Sequence, residues 1–371
     1  MIIKNANVFT EDNLFVKKDI FISDDLFTET AADTDAVVDA EGLYAIPGLV
    51  DIHFHGCDGH DFCDGTQEAI QALADYEAAN GVTAIAPASM TFDLDRLISI
   101  CQAAAAFPNE RGAQLVGINM EGPFISLAKK GAQNATYIHK PDVDFFQKCQ
   151  EAAQGLIKLV DIAPEEPGAM EFISELKDEV TISLAHTTAD YDMASEAFRK
   201  GARHVTHLYN AMPPFSHRAP GVIGAAAESA EHVELICDGI HIHPSVVRAT
   251  FQLFGPERVV MISDSMMATG LPNGEYALGG QPVHVEGNLA TLKDGTLAGS
   301  ATNLMDCLRV AVKDMHIPLE QAVACTTQNP AKAIGIYDHY GSITPGKVAN
   351  VVLLDKDLKL KSVILRGNVL N

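Results

Sequence analysis

The middle of the chain carries eight short runs of apolar residues. These runs are continuous in valine, isoleucine and leucine and do not alternate with polar residues, which is typical of strands buried on both faces of a parallel sheet. The predicted strands are residues 49–55, 82–89, 115–121, 159–164, 181–186, 204–210, 233–238 and 259–264.

Stretches with helical periodicity separate most of these strands. In residues 67–80 the apolar positions recur at helical spacing, and Gly81 follows, where a helix commonly ends on glycine. Residues 191–200, followed by Gly201, repeat the arrangement. Eight strand–helix units in order predict an α/β protein built as a (β/α)8 TIM-like barrel over residues 49–341, and a doubly wound open sheet is the alternative.

The two ends of the chain have a different pattern. Apolar and polar residues alternate over residues 1–48 and again over residues 342–371, as in half-buried antiparallel strands. We expect these ends to meet in one small β-sandwich domain, with the barrel inserted between them. Residues 272–298 are rich in glycine and turn formers and predict a β-hairpin insert after the eighth strand, near the active face of the barrel.

Side chains that bind metals fall at the C-terminal ends of the predicted strands. In a TIM barrel these ends surround the site of chemistry, whereas apolar side chains fill the interior below. His53 and His55 are two positions apart, so an extended strand points both imidazoles to the same side. The other candidates are Glu121, His186, His207, His241 and Asp264. Any one of them could be a hydrogen-bonded core residue, but together they predict a shared divalent metal.

Net charge narrows the choice of partners. The chain carries a formal charge of -23 and has a sequence pI of about 4.8. A surface this acidic repels nucleic acids and anionic lipids, so neither is expected as a partner, whereas a small anion held by a few local cations is compatible with it.

The cysteines and the apolar runs indicate the compartment. The seven cysteines form no Cys-x-x-Cys pair, which favours reduced thiols over a disulfide framework. The N-terminus has no signal-peptide pattern, and no apolar run reaches the roughly 18 residues of a membrane span. We therefore expect a cytoplasmic protein.

Seven motifs carry a resemblance to a known family. They are residues 51–56 (DIHFHG), 120–124 (MEGPF), 129–132 (KKGA), 185–187 (AHT), 206–212 (THLYNAM), 238–241 (DGIH) and 263–264 (SD). In this order they resemble the N-acetylglucosamine-6-phosphate deacetylases of the amidohydrolase superfamily, over nearly the whole chain. Many other superfamily members bridge two metals with a carboxylated lysine that ends strand four. Here residues 161–165 (DIAPE) contain no lysine, which argues against enzymes of the dihydroorotase or urease type.

The resemblance implies a divalent metal centre. Glu121, His186 and His207 would hold the main ion, and His53 with His55 would complete a second site that Glu121 bridges. Two histidines, a carboxylate and an open position suit zinc and iron(II) equally, so we expect zinc or iron(II), with one or two ions per subunit.

The resemblance also implies catalytic and substrate-binding roles. Asp264 would take a proton from the attacking water and deliver it to the departing amine, and His241 would hydrogen-bond the developing oxyanion or a nearby substrate oxygen. Substrate contacts are expected from Ala132, Asn210, Ala211, Arg218, His241, Leu297, Ala298 and Gly299. Arg218 is the candidate for a phosphate, because a guanidinium binds phosphate through two hydrogen bonds. In a homodimer, which the family usually forms, it would act across the interface.

One position departs from the family pattern. Many relatives have a histidine where this chain has Gln133, and an amide hydrogen-bonds without carrying charge. The substrate contact at this position is therefore expected to differ from that of the relatives.

The expected reaction is metal-dependent hydrolysis of N-acetyl-D-glucosamine 6-phosphate to D-glucosamine 6-phosphate and acetate. The alternatives are an epimeric substrate such as N-acetylgalactosamine 6-phosphate, and another amidohydrolase reaction on a small amide, such as that of a deaminase or a D-amino-acid deacylase. Arg218 and the pair Asn210 and Ala211 favour a phosphorylated sugar, since a neutral substrate would not need them. A catalytically inert binding protein is a further alternative, and it would be expected to have lost Asp264 or a metal ligand.

Overall fold

The computed structural model describes residues 1–30 and 36–370. Residues 31–35 and Asn371, which fall in the range predicted for the small domain, lie outside the described residues. Within the described part of the chain, no helix combines the length and the apolar character that crossing a membrane requires.

Short strands open the chain and build most of one sheet. They are β1 (Ile2–Phe9), β2 (Phe15–Ser23), β3 (Leu26–Thr28), β4 (Val37–Asp39) and β5 (Tyr44–Pro47). β1 pairs antiparallel with β2 and parallel with β4 and β5. Alternate side chains, including Ile3, Val8, Ile20 and Ile22, are buried in one apolar cluster, as the alternating pattern predicts.

The strands of the barrel come next, and the order predicted for them is confirmed. They are β6 (Leu49–Asp51), a hairpin of β7 (Gly56–Cys57) and β8 (His60–Asp61), β9 (Val82–Ile85), β10 (Ala88–Ser89), β11 (Gln114–Leu115), β12 (Ile118–Met120), β13 (Ile157–Ile162), β14 (Thr181–Leu184), β15 (His204–Val205), β16 (His232–Ile236) and β17 (Val259–Ile262). Apart from the hairpin, these strands pair in parallel with their neighbours.

The second and third barrel strands are each split into two segments. β9 and β10 form the second strand on either side of Pro87, whose nitrogen has no hydrogen to donate to a ladder. β11 and β12 form the third. At the other edge, the Asp264 N–H donates to the His53 carbonyl at 2.9 Å, so the eighth strand lies beside the first and the ring closes.

A helix follows each barrel strand. The helices are α1 (Gln67–Ala79), α2 (Leu94–Ala105), α3 (Val143–Ala152), α4 (Ala169–Leu176), α5 (Tyr191–Lys200), α6 (Gly221–Ser229), α7 (Pro244–Phe254), α8 (Leu304–Lys313), α9 (Leu319–Thr326) and α10 (Gln328–Ala333). Thr66 caps α1 by accepting the Ala69 N–H, and Gly81 and Gly201 follow α1 and α5 with positive φ.

Two further groups of strands complete the fold. Residues 272–298 contain the antiparallel strands β18 (Gly274–Leu278), β19 (Gln281–Glu286) and β20 (Leu289–Thr291), one strand more than the predicted hairpin. The chain ends in β21 (Val351–Leu354), β22 (Leu360–Leu365) and β23 (Asn368–Val369). β21 pairs antiparallel with β5, which joins both chain ends in one sheet. A bridge from Leu26 to Val348 curls that sheet back on itself.

Candidate metal centre and active-site cavity

The ends of the barrel strands bring the predicted metal-binding side chains together in two clusters. The first contains Glu121, His186 and His207, and the second contains His53, His55 and Asp264. Within each cluster the potential ligand atoms lie within 4.8 Å of one another, and every residue is buried. β6 ends at Asp51, so His53 and His55 lie just beyond the strand and not on it.

Glu121 connects the two clusters through its two carboxylate oxygens. Oε1 lies 3.0 Å from His186 Nε2 and 3.2 Å from His207 Nε2. Oε2 lies 3.4 Å from Nε2 of His55, whose Nε2 is also 3.3 Å from Asp264 Oδ1. A single carboxylate therefore reaches ligands of both clusters.

The backbone holds these side chains in an unusual conformation. His186, His207 and Asp264 have φ values of 43°, 29° and 49°, in the left-handed region that residues other than glycine rarely adopt. Each of the three lies two residues after the end of a barrel strand. Such conformations cost about 1–3 kcal/mol each and are typical of functional sites.

Hydrogen bonds of the Nδ1 atom orient three of the imidazole rings. Nδ1 of His186 lies 2.8 Å from the Lys129 carbonyl oxygen, and Nδ1 of His55 lies 3.3 Å from the Ala88 carbonyl oxygen. A carbonyl oxygen only accepts, so both Nδ1 atoms carry the hydrogen. His53 Nδ1 likewise donates to a Glu234 carboxylate oxygen at 2.9 Å. In all three rings Nδ1 is engaged away from the site, so Nε2 is the nitrogen that faces the cluster and is placed to bind a metal.

The surroundings of the two carboxylates that face these rings favour the ionised form. Burial raises the pKa of Glu121, but the hydrogen bonds from His186 and His207 and the nearby His55 and His53 hold it well below its usual value. Burial also raises the pKa of Asp264, and His55 and His53 outweigh it, so this pKa too is lowered. Carboxylate oxygens and imidazole nitrogens therefore converge on one small volume.

This donor set fits a divalent ion. Nε2 of His186 and Nε2 of His207 lie 3.1 Å apart, and His53 Nε2 is buried without a hydrogen-bond partner among the described residues. Neutral rings whose outer nitrogen is fixed by a carbonyl or carboxylate are the usual arrangement of metal-binding histidines. A cation satisfies lone pairs that would otherwise repel one another.

His241 lies beside the clusters and is bound to Asp238. Its Nδ1 lies 2.7 Å from Asp238 Oδ2, and Asp238 Oδ1 accepts the His241 backbone N–H at 2.9 Å. Burial lowers the pKa of His241, but Asp238, together with Asp264, raises it above its usual value. The ring is thus fixed in orientation and favoured in its protonated form.

Most of the predicted residues line one cavity of about 350 Å³ above the clusters. The predicted residues that line it are His55, Ala132, Glu121, His186, His207, Asn210, Ala211, His241, Asp264, Leu297 and Gly299. His53 lies behind His55 and does not line it, and Ala298 is buried between two lining residues. A cavity of this size and mixed polarity is suited to a small ligand.

Arg218 is the predicted residue that lies elsewhere. It lines a second cavity with Asp190, Tyr191 and Glu228, next to the loop that precedes α6. Its Nη1 lies 2.7 Å from Nε2 of His217 on an exposed part of that loop. Within one chain, Arg218 is therefore not brought to the cavity above the metal clusters.

Sequence reasoning missed three residues or their roles at this site. Lys129 lines the cavity and supplies the carbonyl that orients His186. Gln133 donates to Glu121 Oε2 at 2.6 Å and accepts the Thr91 N–H at 2.7 Å, so both ends of its amide are engaged within the protein. Glu234 is fully buried and binds His53. A charged residue inside an apolar strand run was the signal that could have drawn attention to Glu234.

Comparison with known proteins agrees with this geometry. The model of the amidohydrolase family matches residues 44–370. The N-acetylglucosamine-6-phosphate deacetylase of Bacillus subtilis is 41% identical, with 87% of this chain and 84% of that protein covered. The N-acetylgalactosamine-6-phosphate deacetylase of Escherichia coli O157:H7 is 31% identical, with 87% and 86% covered.

Solved structures give the same result. The crystal structure of N-acetylglucosamine-6-phosphate deacetylase from Pasteurella multocida superposes with a TM-score of 0.93 at 26% identity, covering 100% of this chain and 99% of that one. The agreement includes the barrel and the sheet built from both chain ends, because nearly all of both chains is covered. The chain therefore belongs to the amidohydrolase family and, within it, to the N-acetylglucosamine-6-phosphate deacetylases.

Proposed function

We propose that the protein hydrolyses the acetamide of N-acetyl-D-glucosamine 6-phosphate to give D-glucosamine 6-phosphate and acetate, in the breakdown or recycling of amino sugars. The observation that carries this proposal is the convergence of Glu121, His186 and His207 with Asp264 and His241 in one cavity. Relatives that share this chain's length and fold bear the name of that activity.

The residues divide the chemistry between them. A bound divalent ion supplies Lewis acidity towards the acetamide carbonyl and lowers the pKa of water. Asp264, ionised at neutral pH, takes the proton of the attacking water and later gives it to the departing amine nitrogen. His241 donates a hydrogen bond to the carbonyl oxygen as negative charge develops there.

This role requires a positively charged His241. The Nδ1–H of His241 donates a hydrogen bond to Asp238. A neutral ring would therefore present the lone pair of Nε2 to the substrate oxygen, whereas the imidazolium presents an N–H. Asp238 keeps the ring protonated by raising its pKa. The active form therefore predominates below the pKa of His241 and disappears as the pH rises through it.

Asp238→Asn is expected to move the alkaline limb of the profile of kcat/KM against pH to lower pH. The variant removes the charge that raises the pKa of His241, while burial continues to lower it. Above the new pKa, activity falls about tenfold for each pH unit, since only the protonated fraction is active. Asp142→Asn is the matched control, because asparagine caps α3 as well as aspartate does, far from the cavity. An unchanged alkaline limb in Asp238→Asn would rule out His241 as the charged donor.

The phosphate needs a cation, and Arg218 supplies it from a second subunit in this proposal. Within the chain its guanidinium lies away from the metal clusters, on the exposed loop before α6. The same loop exposes Phe215, which lines an apolar groove with Val246 and Leu253 of α7. A second copy of the chain that covers this groove would bury apolar surface and carry Arg218 to the neighbouring site, so we propose a homodimer.

Arg218→Ala is expected to lower kcat/KM for the phosphorylated sugar by about 10- to 100-fold, because it removes a charged hydrogen-bond pair worth about 1.5–3 kcal/mol. The same variant should leave kcat/KM for unphosphorylated N-acetylglucosamine nearly unchanged. Arg248→Ala on α7, whose guanidinium binds the Met315 carbonyl, is a control for the loss of an arginine. Equal losses on both sugars in Arg218→Ala would remove the phosphate role.

The second candidate substrate is the galacto epimer. It is favoured by the similarity to an N-acetylgalactosamine-6-phosphate deacetylase and by Gln133, whose amide is engaged with Glu121 and Thr91. Acetate release from N-acetylglucosamine, N-acetylgalactosamine and N-acetylmannosamine 6-phosphates decides between them. The proposal expects the highest kcat/KM for the gluco compound, and acetate release from none of the three would overturn it.

The metal and the compartment belong to the same proposal. Nitrogen and carboxylate ligands with an open position suit zinc or iron(II), and the two clusters provide places for one or two ions. The seven cysteines are free and buried, which suits a cytoplasmic enzyme. Metal analysis of protein purified without added metal identifies the ion.

A further inference from the structure

Glu234 lies beneath the metal clusters, on the seventh barrel strand. It belongs to β16, is completely buried, and points into the barrel from the strand that follows His207. One of its carboxylate oxygens, Oε2, lies 2.9 Å from His53 Nδ1 and accepts the His207 backbone N–H at 3.0 Å. Its backbone carbonyl accepts the Leu208 N–H at 2.9 Å. A single residue thus holds one member of each metal cluster.

The bond to His53 fixes that ring for metal binding. Because Nδ1 is bonded to Glu234, Nε2 is the nitrogen left to bind a metal, and it lies 3.6 Å from Glu121 Oε1 and 3.9 Å from Asp264 Oδ1. No hydrogen-bond partner for this Nε2 exists among the described residues. A carboxylate behind a histidine also raises the basicity of the ring and so strengthens the bond to a metal in front of it.

The hydrogen bond from the His207 backbone N–H to Glu234 stabilises the backbone conformation of His207. His207 has a φ of 29°, a backbone conformation that costs free energy and persists only where surrounding contacts offset that cost. The Glu234 carboxylate and carbonyl bind two successive N–H groups, those of His207 and Leu208, and hold the turn in place.

The second carboxylate oxygen of Glu234 is also buried. This atom, Oε1, has no hydrogen-bond partner in the described part of the chain, and the nearest cationic candidate, His204 Nε2, lies 3.9 Å away. An ion held by His53 and His55 would place positive charge next to this buried carboxylate.

We infer that Glu234 is a positioning residue that commits the cluster of His53, His55 and Asp264 to binding a second divalent ion. The inference rests on the metal-dependent function proposed above, but it is tested by metal binding alone. A protein that binds metal as described here yet releases no acetate would contradict the proposed substrate and leave the role of Glu234 standing.

The test uses Zn²⁺ as the probe on the full chain. Wild type and Glu234→Gln are stripped with a chelator and titrated in buffers of defined free Zn²⁺, and bound zinc is measured by mass spectrometry. The amide keeps the shape and an acceptor oxygen but loses the charge. The second ion is expected to bind about 10- to 100-fold more weakly in the variant, with the first ion bound as in wild type.

Glu77→Gln is the matched control. Glu77 is an equally buried carboxylate on α1, and its two oxygens contact no member of either metal cluster. This variant should bind both ions as wild type does. Thermal unfolding of the metal-free proteins separates a loss of folding from a loss of the second ion, because a purely structural role would lower the stability of metal-free Glu234→Gln and weaken both ions alike.

Three results overturn the inference. They are unchanged affinity for the second ion in Glu234→Gln, equal weakening of both ions, and a wild type that binds one ion at any Zn²⁺ concentration. If Glu234→Gln does not fold, crystals of zinc-loaded wild type decide the matter by anomalous scattering. An ion must then lie on His53 Nε2 while Nδ1 remains bonded to Glu234, and a single ion at Glu121, His186 and His207 overturns the inference.

Discussion

Asp264→Asn is expected to lower kcat about 100- to 10,000-fold while the protein keeps an ion at Glu121, His186 and His207. Asp264 is a carboxylate with a lowered pKa that faces the cavity beside both clusters, and an amide cannot carry the proton from water to the leaving amine. The amide oxygen of asparagine can still accept a hydrogen bond at the position facing His55 and His53, so this end of the barrel is expected to remain folded. Turnover and bound metal are to be measured on the same preparation.

Asp161→Asn provides the comparison for this variant. Asp161 is equally buried and lies at the end of β13, but it accepts a hydrogen bond from Thr206 and does not line the cavity. Burial, together with the negative charge of Glu121, raises its pKa well above the usual value, so an amide resembles the protonated acid. Turnover of Asp264→Asn within tenfold of wild type, with metal retained, would place the proton carrier elsewhere.

Glu121→Ala is expected to abolish metal binding in both clusters. The two oxygens of Glu121 reach His186 and His207 on one side and His55 on the other, so its loss removes a ligand from each ion. A metal contributes several kcal/mol of charge stabilisation, and about 4 kcal/mol is already a 1,000-fold loss in kcat/KM. Metal content and acetate release report the two effects separately.

Metal removal from the wild type is the control for Glu121→Ala. Chelator-treated wild type should lose activity and regain it when zinc or iron(II) is added, whereas Glu121→Ala should not respond to either. Activity that survives complete removal of metal from the wild type would contradict the mechanism itself, since the proposed reaction depends on the Lewis acidity of a divalent ion.

The fold was accessible from the sequence because local pattern and tertiary structure agree along most of the barrel. A continuous apolar run fills both faces of a strand such as β17, and Gly201 ends α5 at the position its sequence indicates. The breaks within the barrel strands could not be predicted from the sequence. A run such as residues 82–89 reads as one strand, and the split at Pro87 depends on how the ring closes around it.

The metal ligands were predictable because their side chains have few other uses at strand ends. The residues that orient them were not. Gln133 lies between two short 3-10 helices in the long loop after β12, and its bond to Glu121 depends on the path of that loop. Glu234 lies in an apolar run, where sequence alone does not show which side of the strand faces the metal. Arg218 was chosen for its chemistry, and one chain alone does not bring it to the cavity.

The left-handed conformations of His186, His207 and Asp264 link the lifetime of the folded protein to its metal supply. Each conformation costs about 1–3 kcal/mol, a large share of the 5–15 kcal/mol that stabilises a typical domain. An ion that binds only the folded chain raises the free energy of unfolding by about 4 kcal/mol when its free concentration is 1,000 times its Kd. The Tm of the protein is therefore expected to rise with free metal, and scarcity of metal is expected to lower resistance to heat and proteolysis as well as turnover.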